Sequence, residues 1–181
     1  MEDIQYFFKR EDLFEMRGYL TLDNEINASV YGQKNGKCYL SDITHCESIT
    51  TCKSCSGIRD DHVILHTHPT IFRPFPTLSD INNVVSSKTI RNSIVLTQWG
   101  VWQIIKNGEK VSDLSDPNKG NFVNECFKRL AENTTKTYDE KHMEFITKYI
   151  GKINDQLLSR YECKIYFSSW DDIGDDDLLV K

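Results

Sequence analysis

Two histidines separated by one residue, His66 and His68, stand at the end of a short apolar run and directly before Pro69. Residues 63–65 are Val-Ile-Leu, and a partly β-branched apolar run of this kind predicts a buried strand. Because side chains two apart on a strand point to the same face, we expect both imidazoles to converge on one point. The pair is therefore a candidate for two ligands of one metal ion.

An aspartate beyond a short loop is the candidate third ligand. Pro69 cannot continue a central strand, so residues 70–76 should form a loop. Thr77-x-x-Asp80 before an apolar periodic stretch predicts a helix start with Asp80 in its first turn. Two neutral imidazoles and one carboxylate form a catalytic zinc set whose fourth position is left to water. The alternative is an ordinary N-cap with a first-turn acid, and both interpretations can hold at once.

This arrangement resembles the JAMM, or MPN-plus, zinc metallopeptidases. The family signature is His-x-His-Pro, a short loop and Ser-x-x-Asp, with a glutamate upstream on a strand. His66, His68 and Asp80 match the metal ligands of the family residue by residue, and Thr77 stands where the family usually has serine. The resemblance covers about residues 19–110.

The upstream glutamate of the family matches Glu25. Its frame, Glu-x-x-Gly-x-Leu-x-Gly, is similar to residues 25–32, with Ala28 in place of the first glycine. These residues predict a strand, and the Asn-Gly turn signal at positions 35–36 predicts a hairpin with a second strand over residues 38–43. A hairpin would hold Glu25 beside the histidine strand.

Alternatives to this assignment stay open at the sequence level. Glu25 by itself would be an ordinary exposed strand carboxylate, and only the downstream motif favours a catalytic role. Glu47 is a competing candidate, but it falls in a loop-like stretch. His62 shares a strand face with His66 and could support the ligands from behind, although a capping or surface role is the favoured interpretation.

The resemblance implies a fold, a cofactor and a reaction. The fold would be α/β, of the cytidine-deaminase-like MPN type, with a mixed central β-sheet flanked by helices. Zn²⁺ held by His66, His68 and Asp80 would lower the pKa of its water to about 7. Glu25 would act as general base. Thr77 would donate a hydrogen bond to the developing oxyanion, with a narrower choice of rotamers than the serine of the family.

The resemblance also implies a substrate class. In this family the bond cut is often the isopeptide between a ubiquitin-like C-terminus and a lysine. We therefore expect a deubiquitinase-like isopeptidase acting on ubiquitin or ubiquitin-like conjugates, and family members often need a partner subunit. One alternative is a zinc peptidase or amidohydrolase with another substrate, such as a sulfur-carrier adduct or a small peptide. The other is a non-catalytic scaffold, although scaffolding members usually lack the ligands that this chain keeps.

The whole chain divides into a predicted core, an extension and a tail. Residues 1–112 should form the metallopeptidase-like core, with an early helix over residues 11–17, a helix after the ligand loop and two strands within residues 93–106. Residues 113–170 should add helices and a strand that cover the sheet, or that form a partner-docking or substrate-selecting surface. Residues 171–181 hold five aspartates and predict a solvated acidic tail.

Four of the six cysteines suggest a weaker, second metal site. Cys52-x-x-Cys55 has zinc-ligand spacing, and Cys38 with Cys46 or His45 could complete the four ligands that a structural zinc needs. The spacing is not a repeated Cys-x-x-Cys pair, so the signal is weak. A redox pair and free thiols in a connecting loop are the alternatives.

Composition excludes several classes of partner. The chain has 181 residues and a formal net charge of -5, which gives no electrostatic footprint for nucleic acid. No apolar run approaches membrane-spanning length, so we expect no membrane partner. The acidic start, residues 1–3, lacks a signal-peptide pattern. We therefore expect an intracellular, cytoplasmic protein with reduced cysteines.

Overall fold

The computed structural model describes residues 6–8, 10–21, 25–32, 37–45, 63–69, 74–114, 121–173 and 178–180. Within these residues the strands are β1 (Tyr6–Phe8), β2 (Ile26–Gly32), β3 (Lys37–His45), β4 (Val63–Thr67), β5 (Asn92–Thr97), β6 (Gly100–Lys106), β7 (Cys163–Ser169) and β8 (Leu178–Val180). The helices are α1 (Arg10–Gly18), α2 (Leu78–Ser86), α3 (Asn121–Glu132), α4 (Tyr138–Glu144) and α5 (Ile150–Tyr161). A 3₁₀ turn spans Tyr19–Thr21, and a π-helical segment, Phe145–Tyr149, joins α4 to α5.

These strands join one mixed sheet in the order β7-β6-β5-β4-β2-β3-β1-β8. β2 pairs antiparallel with both β3 and β4, so the predicted hairpin is confirmed and lies against the histidine strand. β4 and β5 run parallel, and α2 lies between them in the chain as the crossover that parallel neighbours require. A mixed sheet flanked by helices confirms the predicted fold class at this level.

One face of the sheet carries α2, α3 and α5. Trp102 and Phe145, both fully buried, lie in the cluster of side chains that these helices form with the sheet. Ile81, Val84 and Val85 give α2 a continuous apolar stripe at helical spacing. The helices α3 and α5 join the cluster through the buried side chains Val123, Cys126, Leu130, Ile153 and Leu157. The helices α3 and α5 therefore pack on this face of the sheet.

The opposite face of the sheet is covered by α1 and by residues that follow β7. Leu13 and Met16, one helical turn apart, are fully buried in a second cluster that includes Leu65 and Trp170. Because side chains alternate between faces along a strand, Leu65 packs on the α1 face while His66 points to the α2 face. One face of β4 therefore contributes to the apolar cluster beside α1, and the other face presents the histidines toward α2.

The π-helical segment was not predicted from the sequence. Residues 138–161 form an amphipathic stretch with helical spacing, yet the structure inserts one wider turn at its centre. Eight residues of regular α-helix would leave Phe145 and Ile153 about 80° apart around the axis. The inserted residue brings both side chains to the core, where each is fully buried.

The acidic tail also contains a strand that was not predicted. β8 pairs antiparallel with β1, with Leu179 opposite Phe7. At these residues the expectation of a solvated tail is corrected, since β8 adds its backbone hydrogen bonds to the edge of the sheet. An apolar segment of Leu-Leu-Val after the aspartates is the sequence feature that permits this pairing.

Several predictions concern positions outside the described residues. They are the turn at residues 35–36, the candidates Glu47 and His62, and Cys46, Cys52 and Cys55 of the second zinc hypothesis; the side chains of Cys38 and His45 are likewise not described. In the described part of the chain, no helix combines the length and the apolar character needed to cross a membrane.

Candidate metal centre

The end of β4 presents His66 and His68 to the face of the sheet that carries α2. His66 is held between two strands, opposite Asn27 of β2 and Val95 of β5. His68 follows the last residue of β4, and its backbone N–H donates to the Leu96 carbonyl at 2.8 Å. This bond continues the parallel pairing by one step. Both histidines are therefore fixed by backbone contacts, and both are buried.

The first turn of α2 presents Asp80 to the two histidines. Thr77 is the N-cap, and its Oγ1 accepts a hydrogen bond from the Asp80 N–H at 3.2 Å. In return the Thr77 N–H donates to Asp80 Oδ2 at 2.6 Å. This capping box, predicted from the sequence, is confirmed and sets the direction of the buried carboxylate.

Three side chains meet at one point, and the two carboxylate oxygens of Asp80 each face one of the two histidines. His66 Nε2 lies 3.2 Å from His68 Nε2 and 3.2 Å from Asp80 Oδ1, and His68 Nε2 lies 3.3 Å from Asp80 Oδ2. Zinc bonds to nitrogen and carboxylate oxygen are about 2.0–2.1 Å long, so neighbouring ligand atoms of a tetrahedral site lie about 3.3–3.4 Å apart. The three residues form a buried group that can hold a metal ion.

The charges at this point favour a bound cation. Burial alone would lower the pKa of His66. The negative charges of Asp80 and, to a smaller extent, Glu25 have the larger combined effect, so the pKa of His66 is raised. Burial raises the pKa of Asp80, yet His66 and His68 hold the pKa of this carboxyl well below its ordinary value. The Asp80 carboxylate is therefore held in its ionised form, and its charge favours a cation bound between it and the two histidines.

Glu25 lies beside the cluster of His66, His68 and Asp80. Its Oε1 is 3.9 Å from His68 Nε2, and its side chain is 20% exposed. This separation is longer than a hydrogen bond, so Glu25 stands beside the ligand group and is partly open to solvent. The β2–β4 register explains the placement, because Asn27 is opposite His66 and the same register carried on would set Glu25 opposite His68.

The Thr77 hydroxyl has a partner that sequence reasoning did not assign. It donates to Asp80 Oδ2 at 2.8 Å while it accepts from the Asp80 N–H. A hydroxyl has one proton to donate, and here that proton is already used in the hydrogen bond to the Asp80 carboxylate. The oxyanion role expected for Thr77 stays a prediction, and it requires this hydroxyl to turn away from Asp80.

A cavity of about 490 Å³ opens beside Thr77. One wall is the start of α2, and α3 and α4 supply Phe127, Leu130, Tyr138 and Lys141. The C-terminal helices thus reach the immediate surroundings of the ligand group. They cover the sheet and also shape the space next to Thr77.

Thr67 is a site residue that sequence reasoning missed. It lies between the two histidines in sequence, and its Oγ1 accepts a hydrogen bond from the Ile26 N–H at 2.9 Å. These two residues are 41 positions apart, so no local sequence pattern predicts their contact. The only available signal was strand alternation, which places Thr67 on the face opposite the histidines.

Comparison with known proteins adds no relative. No protein-family model matches the chain, no curated protein matches it, and no solved structure matches it. Fold and site together define a mixed α/β protein whose central strand and following helix bring two histidines and an aspartate into one buried cluster.

Proposed function

We propose that this chain is a zinc-dependent hydrolase of the JAMM type, with an MPN-like sheet, that cleaves the isopeptide bond of a ubiquitin or ubiquitin-like conjugate. The observation that carries the proposal is the meeting of His66, His68 and Asp80 within 3.2–3.3 Å of one another, with Glu25 3.9 Å from His68. The resemblance of these same residues to the family signature supplies the substrate class.

The donor set fits zinc better than the hard cations. Two imidazole nitrogens with one carboxylate oxygen are a usual catalytic zinc set, whereas Mg²⁺ and Ca²⁺ prefer oxygen ligands. Three protein ligands leave a fourth position for water or substrate. Bound there, zinc would supply a water with a pKa near about 7 and would polarise the substrate carbonyl.

The chain's own residues would then move the proton and hold the ligands. The Glu25 side chain is partly exposed, and it would accept the proton of the attacking water and pass it to the leaving amine. The separation of 3.9 Å between Glu25 Oε1 and His68 Nε2 places the carboxylate beside the proposed metal ligands. The bonds from Thr77 to Asp80 hold the carboxylate in place.

Zinc-dependent cleavage tests the proposal. Zinc-loaded wild type should cleave a lysine-linked ubiquitin conjugate, a chelator should stop the reaction, and added zinc should restore it. Glu25→Gln should keep its zinc and lose about 100- to 10,000-fold in kcat, the usual contribution of a general base. Glu15→Gln, a change of an exposed glutamate in α1, is the matched control and should keep wild-type activity.

The other outcomes separate the alternatives. Zinc-dependent cleavage of small isopeptide or peptide substrates, with ubiquitin conjugates left intact, would keep the hydrolase and reject the substrate class. Bound zinc with no hydrolysis of either kind of substrate would favour a scaffold. Chelator-insensitive cleavage, or equal activity of Glu25→Gln and wild type, would reject the mechanism.

A further inference from the structure

We propose that Thr67 is a positioning residue whose hydroxyl holds the start of β2 so that Glu25 faces the metal ligands. The inference rests on the proposed function, because it assigns Thr67 a role through the general base. Thr67 itself faces away from the site and touches neither metal nor substrate.

The contact is buried on both sides. Thr67 and Ile26 are fully buried, and the Thr67 Oγ1 accepts the Ile26 N–H at 2.9 Å. Ile26 is the first residue of β2 and directly follows Glu25. A buried backbone N–H must find an acceptor, and in this position a side chain takes the place of a strand carbonyl.

The β2–β4 register shows which backbone pairing the Thr67 hydroxyl replaces. The backbone pairing of β2 with β4 includes Asn27 opposite His66 and Ala28 opposite Leu65. Continued by one step, this register sets Ile26 opposite Thr67, and by a second step it sets Glu25 opposite His68. The hydroxyl therefore joins the two strands at the step just before Glu25. On its other side Ile26 already pairs with His45 of β3, but toward β4 the last paired residue without this bond would be Asn27, two residues away from Glu25.

Thr67 is thus connected both to the histidine pair and to the residue next to Glu25. The backbone of Thr67 links His66 to His68, while its side chain fixes the residue next to Glu25. Movement of the histidine pair and of Glu25 is coupled through this bond. A displacement of about 1 Å at a reacting group can lower a rate by about 100-fold, so the bond is expected to act on kcat.

Three variants test the inference. Thr67→Val keeps the shape and burial but removes the acceptor, and Thr67→Ser keeps the acceptor. Thr97→Val is the matched control, because Thr97 is also fully buried but its hydroxyl bonds within its own turn, to Gly100 O at 3.0 Å. Thr67→Ala replaces the valine variant if the latter does not fold.

Two readouts need no activity. In Thr67→Val the Ile26 amide should exchange with deuterium faster, and a crystal structure should show a longer Glu25–His68 separation, while zinc content matches wild type. In the activity assay Thr67→Val should lose about 100-fold in kcat, Thr67→Ser should recover most of it, and Thr97→Val should behave as wild type.

Each result decides the matter. Unchanged Ile26 exchange and an unchanged Glu25 position in Thr67→Val would overturn the inference, and so would wild-type kcat in that variant. If wild type hydrolyses nothing, the proposed function fails, while the exchange rate and the Glu25 position still decide whether Thr67 holds this carboxylate in place. Wild-type kcat in Thr67→Val together with a loss in Thr67→Ser would show that Thr67 acts by packing and would overturn the inference as well.

Discussion

At the scale of single residues, Thr77 combines two tasks in one hydroxyl. It caps α2 by accepting the Asp80 N–H, and it donates to the Asp80 carboxylate that would bind the metal. A serine at this position could make the same two contacts, since both use only the hydroxyl. The added methyl group has no polar partner to satisfy.

Thr77→Ala should weaken both the helix and the metal site. Loss of the cap should lower the free energy of unfolding by about 1 kcal/mol, and loss of a bond that orients a ligand should weaken zinc binding by about 10- to 100-fold. Urea unfolding and competition with a chelator measure the two effects. Thr77→Ser is the control and should match wild type; equal zinc affinity in Thr77→Ala would contradict the role assigned here.

His142 gives the fold a pH dependence of its own. The ring is 4% exposed, stacks on Trp99 with ring centroids 5.2 Å apart, and bonds through Nδ1 to the Pro74 carbonyl at 3.1 Å. Burial lowers the pKa of His142, against weaker opposing effects of Pro74 and Asp139. The folded-state pKa thus lies below the unfolded value of 6.5, and the unfolded chain takes up the proton first.

His142→Gln should separate this effect from general acid unfolding. The contribution of neutral His142 is fully present above pH 6.5 and is lost as pH falls through the folded-state pKa. The variant should be less stable than wild type by about 1–3 kcal/mol above neutral pH, and the difference should shrink on acidification. Urea titrations across this range measure it. A difference that is constant with pH would contradict the expected titration.

At the scale of elements, α2 is held at both ends by polar contacts that are partly or fully buried. Its first turn carries the capping box at the site. At its other end the buried Lys106 ammonium donates to Val85 O at 3.2 Å and to Ser87 O at 2.8 Å. Burial, with a smaller contribution from Arg91, lowers the pKa of Lys106. A cation at a helix C-terminus is the favourable arrangement for the helix dipole.

Lys106→Met should destabilise the fold and leave zinc affinity nearly unchanged. Methionine keeps an apolar chain but removes the donors to two carbonyls, at an expected cost of about 1–3 kcal/mol. Lys110→Met, at an exposed position, is the control and should be nearly neutral. Thermal unfolding of the zinc-loaded proteins decides the point, and a Lys106→Met variant as stable as Lys110→Met would contradict it.

Elements with strong local signals were predictable from the sequence. The apolar run before His66 gave β4, the capping pattern at Thr77 gave the start of α2, and the Asn-Gly signal indicated the hairpin of β2 and β3. Features that depend on distant partners were not predictable. The pairing of β8 with β1 and the bond from Thr67 to Ile26 join residues whose proximity only the folded sheet creates.

At the scale of the whole molecule, the two faces of the sheet differ: one carries an apolar cluster, and the other carries an apolar cluster and the candidate metal site. The α1 face packs Leu65 and its neighbours in one apolar cluster, and the α2 face holds the ligands beside a larger cluster that includes Trp102. His66 and His68 lie at the end of β4 and just beyond it, Asp80 lies in α2, and Glu25 directly precedes β2. The site therefore exists only when the sheet and its helices are assembled, and metal binding should be coupled to folding.

The metal content of wild type beside His68→Ala tests the central claim most directly. After zinc loading and removal of free metal, wild type should hold one zinc ion per chain more than His68→Ala, because the variant lacks one of the three protein ligands. A difference, rather than a total, is measured so that zinc bound by the cysteines does not affect the result. Equal zinc content in the two proteins, or a wild type that retains no zinc, would contradict the account.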